Sequence, residues 1–222
     1  MAPDNSLIYD LPAVTLRRIA VSEMSNNVYL LTAKKSGIQV LIDAADDPAE
    51  IRSMIAEATG DTPCSPGLRA VLTTHGHWDH IRALADFAKT DGVELAAGAH
   101  DAADIESEKG VTIHRKLEHG TTIRYDGIGL DVLHLRGHTP GSVAFVYPVE
   151  DGPTHIFTGD SLFPGGVGKT SSTADFEQLI DDVESRIFAE YDDDTIVHPG
   201  HGDPTTLGAE RPHLAQWRER GW

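Results

Sequence analysis

The sequence predicts an α+β protein in which β-sheets are covered by helices. Segments with strand character occur in clusters, and segments with helical periodicity lie between the clusters, which is the pattern of sheet layers packed against helix layers. The chain has 222 residues, 40% of them hydrophobic, which is enough to bury one large core. We therefore expect a single domain that spans residues 1–222.

The first half of the chain begins with segments rich in apolar and β-branched residues. They predict strands at residues 13–21, 26–33 and 38–44. Gly37 predicts a hairpin turn between the last two. Residues 46–58 predict a helix, because Pro48 suits a first helical turn and apolar residues recur at helical spacing. A strand at 68–74, a helix at 83–89 and a strand at 93–97 complete this half.

The second half repeats the arrangement. Strands are predicted at residues 129–135, 142–148, 154–160 and 194–200. The amphipathic segment 173–188 predicts a long helix, and residues 212–220 predict a closing one. Because no linker-like or low-complexity segment interrupts the chain, the pattern favours one continuous domain.

Charge and cysteine content exclude several classes of protein. The formal net charge of −17 opposes binding to nucleic acid or to an anionic membrane surface, since both require a positive footprint. Cys64 is the only cysteine, so any metal site must use nitrogen and oxygen ligands. The first residues lack a signal-peptide pattern, and no later run is long and apolar enough for a membrane span. We expect a soluble, cytoplasmic protein with a small-molecule substrate and no nucleic-acid or membrane partner.

One short segment concentrates residues that can bind metal. His75, His77, Asp79 and His80 follow directly after the predicted strand at 68–74. In extended backbone, two histidines that are two residues apart project to the same side and can bind one ion, while Asp79 and His80 can reach a second position. A solvated polar loop is the alternative interpretation. The spacing favours a metal site with room for two ions.

Three further candidates each follow an apolar run in the second half. His138 lies in HLRGHTPGS, Asp160 in IFTGDSLF and His201 in IVHPGHGDP. Functional groups concentrate on loops that a rigid scaffold positions. A glycine beside each candidate permits the tight backbone turns that let a short side chain reach a crowded ion. We therefore expect these residues to join the histidine segment at one rim of a sheet.

The order of these motifs, H-x-H-x-D-H, GHTPGS, TGD and PGHG, resembles the metallo-β-lactamase superfamily, and the resemblance covers nearly the whole chain. It implies an αββα sandwich, with two mixed β-sheets flanked by helices and the metals at one edge. It also implies a ligand set. By resemblance, the first metal is held by His75, His77 and His138, the second by Asp79, His80 and His201, and Asp160 bridges the two.

This ligand set predicts a dinuclear hydrolase. Two divalent cations roughly 3.5–4 Å apart can share a water and lower its pKa toward ~7, which provides a hydroxide nucleophile without a side-chain nucleophile. Zinc is the first expectation, and iron or manganese are alternatives, because nitrogen and oxygen ligands discriminate weakly among these ions. Asp79 is also the candidate catalytic residue that orients the nucleophile.

Features around Asp160 favour a glyoxalase II-like branch of the superfamily. True β-lactamases of this fold have Cys or Ser at this position, and the segment FTGDSLFPGGVGKT is similar to glyoxalase II. The resemblance implies hydrolysis of a thioester, with Lys169 either contacting a substrate carboxylate or solvated. GVGKT is not a phosphate-binding P-loop, because Phe163 occupies the position of the required first glycine.

Other functions stay open at this level. A persulfide dioxygenase would use a single iron on His75, His138 and Asp160, whereas a lactonase would use the same dinuclear site on a different substrate. A non-enzymatic metal-binding protein of the same fold is the third alternative. The helical domain with which glyoxalase II holds glutathione is not expected, so the thiol could be glutathione, an actinobacterial-type thiol or coenzyme A.

Several residues near the motifs have two interpretations. Arg82 and Arg136 replace family-typical residues and either lie in solvent or recognise an anionic substrate. His198 and His134 are candidates for orienting a metal ligand by hydrogen bonding. Trp78 lies between two candidate ligands and either forms a wall of the site or anchors packing.

Overall fold

The computed structural model describes residues 6–221. Its strands are β1 Leu7–Asp10, β2 Val14–Val21, β3 Asn26–Ala33, β4 Ile38–Ile42, β5 Gly67–Thr73, β6 Glu94–Gly98, β7 Arg115–Leu117, β8 Thr122–Tyr125, β9 Ile128–His134, β10 Val143–Tyr147, β11 His155–Gly159, β12 Leu162–Phe163, β13 Gly166–Val167, β14 Ile196–Pro199 and β15 Thr205–Thr206. Its α-helices are α1 Pro48–Glu57, α2 Trp78–Ile81, α3 Leu84–Phe87, α4 Ala102–Lys109, α5 Thr173–Val183, α6 Leu207–Glu210 and α7 Leu214–Arg220. A π-helical segment, Glu184–Phe188, continues α5.

The strands form two mixed sheets and one short ribbon. The first sheet has the order β1-β2-β3-β4-β5-β6-β7, and the second has the order β15-β14-β11-β10-β9-β8. In the first sheet the strands are antiparallel up to β4 and parallel from β4 to β7. In the second sheet only the β11–β14 pair is parallel. Strands β12 and β13 pair with each other as a separate ribbon.

The two sheets pack face to face, with helices on both outer sides. Alternation along β3 shows the layering, because Val28 and Leu30 join the cluster beneath α1 and α3 while Tyr29 and Leu31 join the cluster between the sheets. On the other side, the outer face of the second sheet packs against α5 and α7. This is an αββα sandwich, so the fold expected from the resemblance is confirmed.

Helix α5 shows how local sequence directs the chain onto the second sheet. The Ser172 side chain accepts a hydrogen bond from the Asp175 backbone N–H and caps the helix. One face then buries Phe176, Leu179, Ile180 and Val183. At 11 residues α5 is far too short for a bilayer, and no helix in the described range 6–221 has the length and apolar character of a membrane span.

The connections between strands bring five strand ends to one edge of the sandwich. The backbone N–H of Val143, at the start of β10, donates to the carbonyl of Thr74, which follows β5 (2.8 Å). Gly200, after β14, donates to the carbonyl of Gly159 at the end of β11 (2.8 Å). Asn27 at the start of β3 donates to the carbonyl of Gly200 (2.7 Å) and ties the first sheet to the same corner. The loops that carry the predicted ligands therefore start from a common rigid rim.

Candidate metal centre

All seven sequence-predicted ligands lie at this edge, in two groups joined by one carboxylate. The first ligand group is His75, His77 and His138, whose ligand atoms lie within 4.8 Å of one another. His75 and His77 come from the loop after β5, and His138 comes from the loop between β9 and β10. The Nε2 atoms of His75 and His138 are 3.2 Å apart, so both nitrogens point at the same small volume.

The second ligand group is Asp79, His80 and His201, which also lie within 4.8 Å of one another. Asp79 and His80 are on the short helix α2, and His201 follows β14. His201 Nε2 is 3.3 Å from His80 Nε2 and 3.3 Å from Asp79 Oδ2. Adjacent residues of α2 thus lie close to His201, which comes from a loop of the other sheet.

Asp160 lies between the two groups. Its Oδ1 is 3.3 Å from His80 Nε2, and its Oδ2 is 3.5 Å from His201 Nε2 and 3.7 Å from His138 Nε2. Oδ1 is buried and has no hydrogen-bond partner among the described residues. A buried carboxylate oxygen without a donor is costly unless a cation satisfies it. This position therefore fits a metal bridge.

The imidazoles are oriented by hydrogen bonds at Nδ1. His80 Nδ1 bonds to Asp43 Oδ2 (2.8 Å), His138 Nδ1 donates to the Lys169 carbonyl (2.7 Å), and His201 Nδ1 donates to the Met24 carbonyl (3.0 Å). Because these partners only accept hydrogen bonds, each Nδ1 carries a proton, and Nε2 is the ring nitrogen left to bind metal. The donor set and its tautomers therefore fit divalent cations.

Asp43 organises ligands of both groups, although it carries no motif signal. Besides His80, it accepts hydrogen bonds from the backbone N–H of Thr74 (2.7 Å) and from Thr74 Oγ1 (2.8 Å). Thr74 Oγ1, which donates to Asp43, in turn accepts from His75 Nδ1 (3.1 Å). Asp43 is buried and has a positive φ of 57° directly after β4. Asp43 was not identified as a functional residue from the sequence. The only sequence feature that marks it is its position directly after the apolar strand β4.

Two glycines let the backbone approach the bridging carboxylate. A Cβ at Gly200 would lie 2.2 Å from Asp160 Oδ1 and 2.7 Å from His80 Cε1. Gly159 has φ +49°, and a Cβ there would lie 2.5 Å from Thr74 Oγ1. From the sequence, tight turns were the expected reason for glycine at both positions. At Gly200 the reason is close approach, since its φ is not positive.

Burial and neighbouring charges shift the pKa values of histidines in the two ligand groups in opposite directions. Burial lowers the pKa of His75 well below 6.5, and neighbouring imidazoles lower it further; burial also lowers the pKa of His138. Burial lowers the pKa of His80 too, but the Asp43 and Asp160 carboxylates outweigh it and raise the pKa to about 10. The hydrogen bond to Asp79 raises the pKa of His201. The lowered pKa values favour neutral His75 and His138 in the metal-free protein, whereas metal binding at His80 and His201 displaces protons.

The two arginines near the motifs are engaged with carboxylates of the chain itself. Arg82 Nη1 lies 2.5 Å from Asp46 Oδ2, and its guanidinium is 4.0 Å from the Trp78 ring centroid. Arg136 makes a bidentate pair with Asp182, with N–O distances of 2.6 and 2.8 Å. Arg82 is exposed, as the solvent interpretation expects, and each of the two guanidinium groups is paired with a carboxylate.

The other predicted contributors divide into those placed at the site and those that are not. The Lys169 side chain is exposed, while its backbone carbonyl holds His138. His198 bonds to His155 (2.8 Å) between the sheets, and His134 Nε2 donates to the carbonyl of Pro140 (2.8 Å). The prediction that His198 and His134 hydrogen-bond a ligand side chain is therefore wrong: the same residue types serve packing and loop structure here.

An open groove of about 1100 Å³ adjoins the second ligand group. Met24 and Trp78 line it, and each is 48% exposed. Carboxylates outnumber guanidinium groups on its wall, with Glu23, Asp46, Asp47 and Glu50 against Arg18 and Arg82. A wide cleft with an indole beside the metal ligands can receive the part of a substrate that does not react.

Comparisons with known proteins identify relatives with similar sequences and folds. The chain is 33% identical to the hydroxyacylglutathione hydrolase GloC of Haemophilus influenzae, over 65% of this chain and 73% of the relative. A solved di-iron-bound protein, TTHA1623, is 31% identical with a TM-score of 0.65, over 87% of this chain and 96% of its own. ETHE1 from Myxococcus xanthus is 25% identical with a TM-score of 0.74, over 92% of this chain and 84% of its own.

A family model extends the likeness across the ligand-bearing loops. The model that matches is that of the metallo-beta-lactamase superfamily, a fold that binds divalent metals, and it covers residues 21–201. That span begins before β3 and ends at the last predicted ligand, His201. Together with the sandwich fold and the relatives above, this match shows that the chain belongs to the metallo-β-lactamase superfamily.

Proposed function

We propose that this protein is a dinuclear metal-dependent hydrolase of small-molecule thioesters, of the hydroxyacyl-thiol type, acting in the cytoplasm. The observation that carries the proposal is the pair of three-residue ligand groups that share Asp160. The likeness to a relative named hydroxyacylglutathione hydrolase supports the substrate class. The likeness to TTHA1623, solved in a di-iron-bound form, supports two ions.

The residues have distinct roles in this proposal. The first ion would be held by His75, His77 and His138, the second by Asp79, His80 and His201, and Asp160 would contact both. Zinc is the ion we propose, with iron or manganese as alternatives that the same nitrogen and oxygen donors accept. When bound, such ions lower the pKa of a water toward neutrality and polarise a carbonyl oxygen.

Asp79 is the residue we assign to orienting the water nucleophile. Its Oδ2 accepts a hydrogen bond from Asn26 Nδ2 (2.9 Å) and lies 3.3 Å from His201 Nε2. Burial raises the pKa of Asp79, but the hydrogen bonds from His201 and Asn26 outweigh it and hold the pKa below its ordinary value. A carboxylate that stays ionised at neutral pH can bind metal and accept a hydrogen bond from water.

Lys169 is the residue we assign to the substrate carboxylate. Its backbone is anchored because its carbonyl accepts the His138 hydrogen bond, while its side chain is exposed. An ammonium group on an anchored backbone can reach an anionic substrate without disturbing the ligands. Replacement of Lys169 by Met should raise KM for a substrate that carries a carboxylate and leave kcat unchanged.

A mononuclear iron enzyme is the alternative that needs the fewest ligands. It would use His75, His138 and Asp160 and leave the other predicted ligands without a role. In the structure, Asp79 accepts a hydrogen bond from Asn26, and His201 donates to the Met24 carbonyl, so both are held at the site. This arrangement favours two ions over one.

Metal analysis combined with a substrate panel tests the proposal. The protein as purified, and after reloading with zinc, manganese or iron, should contain two ions per chain and hydrolyse hydroxyacyl thioesters faster than lactones. Replacement of Asp79 by Asn should reduce kcat by about 10²–10⁴-fold, the range for loss of a proton-handling group. One iron per chain with oxygen consumption on a persulfide, or faster lactone hydrolysis, would contradict the thioesterase assignment.

A further inference from the structure

We propose that Asp101 is a positioning residue for the first ligand group. The inference rests on the proposed metal centre and adds a residue outside the sequence motifs. Asp101 lies between β6 and α4 and is 4% exposed. Its carboxylate accepts hydrogen bonds from both loops that carry His75, His77 and His138, and these bonds go to the loops rather than to those three imidazoles.

Hydrogen bonds to Asp101 connect the two loops directly. Oδ2 accepts from the backbone N–H of Gly76 (2.8 Å), the residue between His75 and His77. The same oxygen accepts from Thr139 Oγ1 (2.6 Å), and Oδ1 accepts from the backbone N–H of Gly141 (2.6 Å). Thr139 directly follows His138. One buried carboxylate therefore fixes the spacing between the two chain segments that supply the first ligand group.

Close packing around Asp101 leaves these loops little freedom. A Cβ at Gly141 would lie 2.3 Å from the Asp101 backbone nitrogen, and a Cβ at Gly98 would lie 1.9 Å from the Gly141 carbonyl oxygen. The loop after β9 thus lies directly against the turn after β6. A hydrogen bond between Thr139 Oγ1 and Ser142 Oγ (2.6 Å) stiffens the same loop.

The second ligand group is held by other residues. Asp43 orients His80, Asn26 bonds to Asp79, and the Met24 carbonyl accepts from His201. None of these bonds involves Asp101. Loss of the Asp101 carboxylate should therefore weaken metal binding at the first group and spare the second.

Replacement of Asp101 by Asn is the first test, since it keeps the size of the side chain. The amide nitrogen must face either the Gly76 or the Gly141 N–H, so one backbone donor loses its acceptor. Zinc titration against a fluorescent chelator should resolve two binding steps in the wild type, which His77→Ala and His201→Ala assign to the two groups. In D101N the first-group affinity should fall by about 10–100-fold, the range for residues that support metal ligands, and the second should change less than about twofold.

A matched control separates positioning from a general loss of stability. Asp61 is a buried carboxylate that accepts hydrogen bonds from Thr15 and Arg17 and contacts no ligand loop in the described chain. D61N should lower the thermal midpoint of the metal-free protein and leave both zinc affinities at wild-type values. If D101N does not fold, Thr139→Val removes the two hydrogen bonds of Thr139 Oγ1, to Asp101 and to Ser142, and leaves both backbone donors to Asp101 paired; Thr139→Ser should restore first-group affinity.

The outcomes distinguish this inference from the proposed function. Wild-type zinc affinity at both groups in D101N and in Thr139→Val would overturn the role of Asp101, as would equal weakening of both groups. Failure of the wild-type protein to bind any metal would instead overturn the proposed function, whatever the behaviour of D101N.

Discussion

Replacement of Gly200 by Ala is expected to disable the metal centre through a steric effect on one atom. The added Cβ would lie 2.2 Å from Asp160 Oδ1, whereas real Cβ atoms essentially never approach closer than 3.0 Å. The carboxylate or the Gly200 backbone must therefore move by 3.0 − 2.2, or about 0.8 Å. Neither can move easily, because His80 Cε1 lies 2.7 Å and the Gly159 carbonyl carbon 3.2 Å from the same Cβ position.

The size of the effect follows from this displacement. Overpacking of a buried site costs about 1–3 kcal/mol of folding free energy, and a misplacement of ~1 Å at a reacting centre lowers activity about 10²-fold. We expect G200A to fold, to lose metal from one or both groups, and to lose thioester hydrolysis by about this factor. Gly129→Ala is the control, because a Cβ there meets nothing within 4 Å.

The assay combines metal content after dialysis, kcat on a hydroxyacyl thioester and urea unfolding of the metal-free protein. G129A should match the wild type in metal content and kcat. A G200A protein with two ions per chain and wild-type kcat would refute the reasoning, since Asp160 would then not need its observed position between the two groups.

Three further predictions concern pH, ligand support and the groove. Burial lowers the pKa of His155 to about 4 and that of His198 to about 3. Below pH 6.5 the unfolded chain takes up protons that the folded histidines do not, so the free energy of unfolding falls with pH. The loss is up to about 1.4 kcal/mol per pH unit for each histidine down to about pH 4. Urea unfolding of the metal-free protein between pH 7.5 and 5 should show this slope, and His198→Gln should flatten it; equal slopes would contradict the assignment. Asp43→Asn should weaken zinc binding by about 10–100-fold in chelator competition, because the amide nitrogen leaves either His80 Nδ1 or the Thr74 backbone N–H without an acceptor. An unchanged affinity would argue against that support. Glu50→Lys should lower KM for an anionic glutathione thioester by about 2–5-fold at low salt, and an unchanged KM would remove the groove from the substrate path.

Strands rich in apolar residues and helices with an amphipathic pattern were predictable from the sequence. The predicted strand at 26–33 matches β3, and the predicted helix at 173–188 matches α5 with its π-helical continuation. Helix α4 was not predicted, because AADIESEK buries only Ala102 and Ile105 and lacks an apolar face. Strands β1, β7 and β15 were not predicted either. Each is a short edge strand whose formation depends on pairing with its neighbour in the sheet.

The candidate ligands were predictable for a different reason. Metal binding requires particular donor atoms at particular spacings, so His75, His77, Asp79 and His80 leave a recognisable pattern in one strand-to-helix connection. Arg136 left no such pattern. Its partner Asp182 is 46 residues away on α5, and a sequence pattern cannot show whether a distant carboxylate will bind a given guanidinium.

The residues that hold the ligands in place could not be predicted from the sequence, because they are distant from the ligands along the chain. Asp43 reaches His80 across 37 residues, and Asp101 reaches Gly141 across 40. Each is a single carboxylate in the connection that follows a strand, and many carboxylates of an acidic chain occupy such positions. The two become distinguishable only when the sheets bring the loops to one edge, where a buried acceptor must meet buried donors. A metal centre of this kind therefore depends on two sets of residues. A recognisable motif supplies the donor atoms, and hydrogen-bond acceptors such as Asp43 and Asp101, which no motif identifies, set the spacing of those atoms.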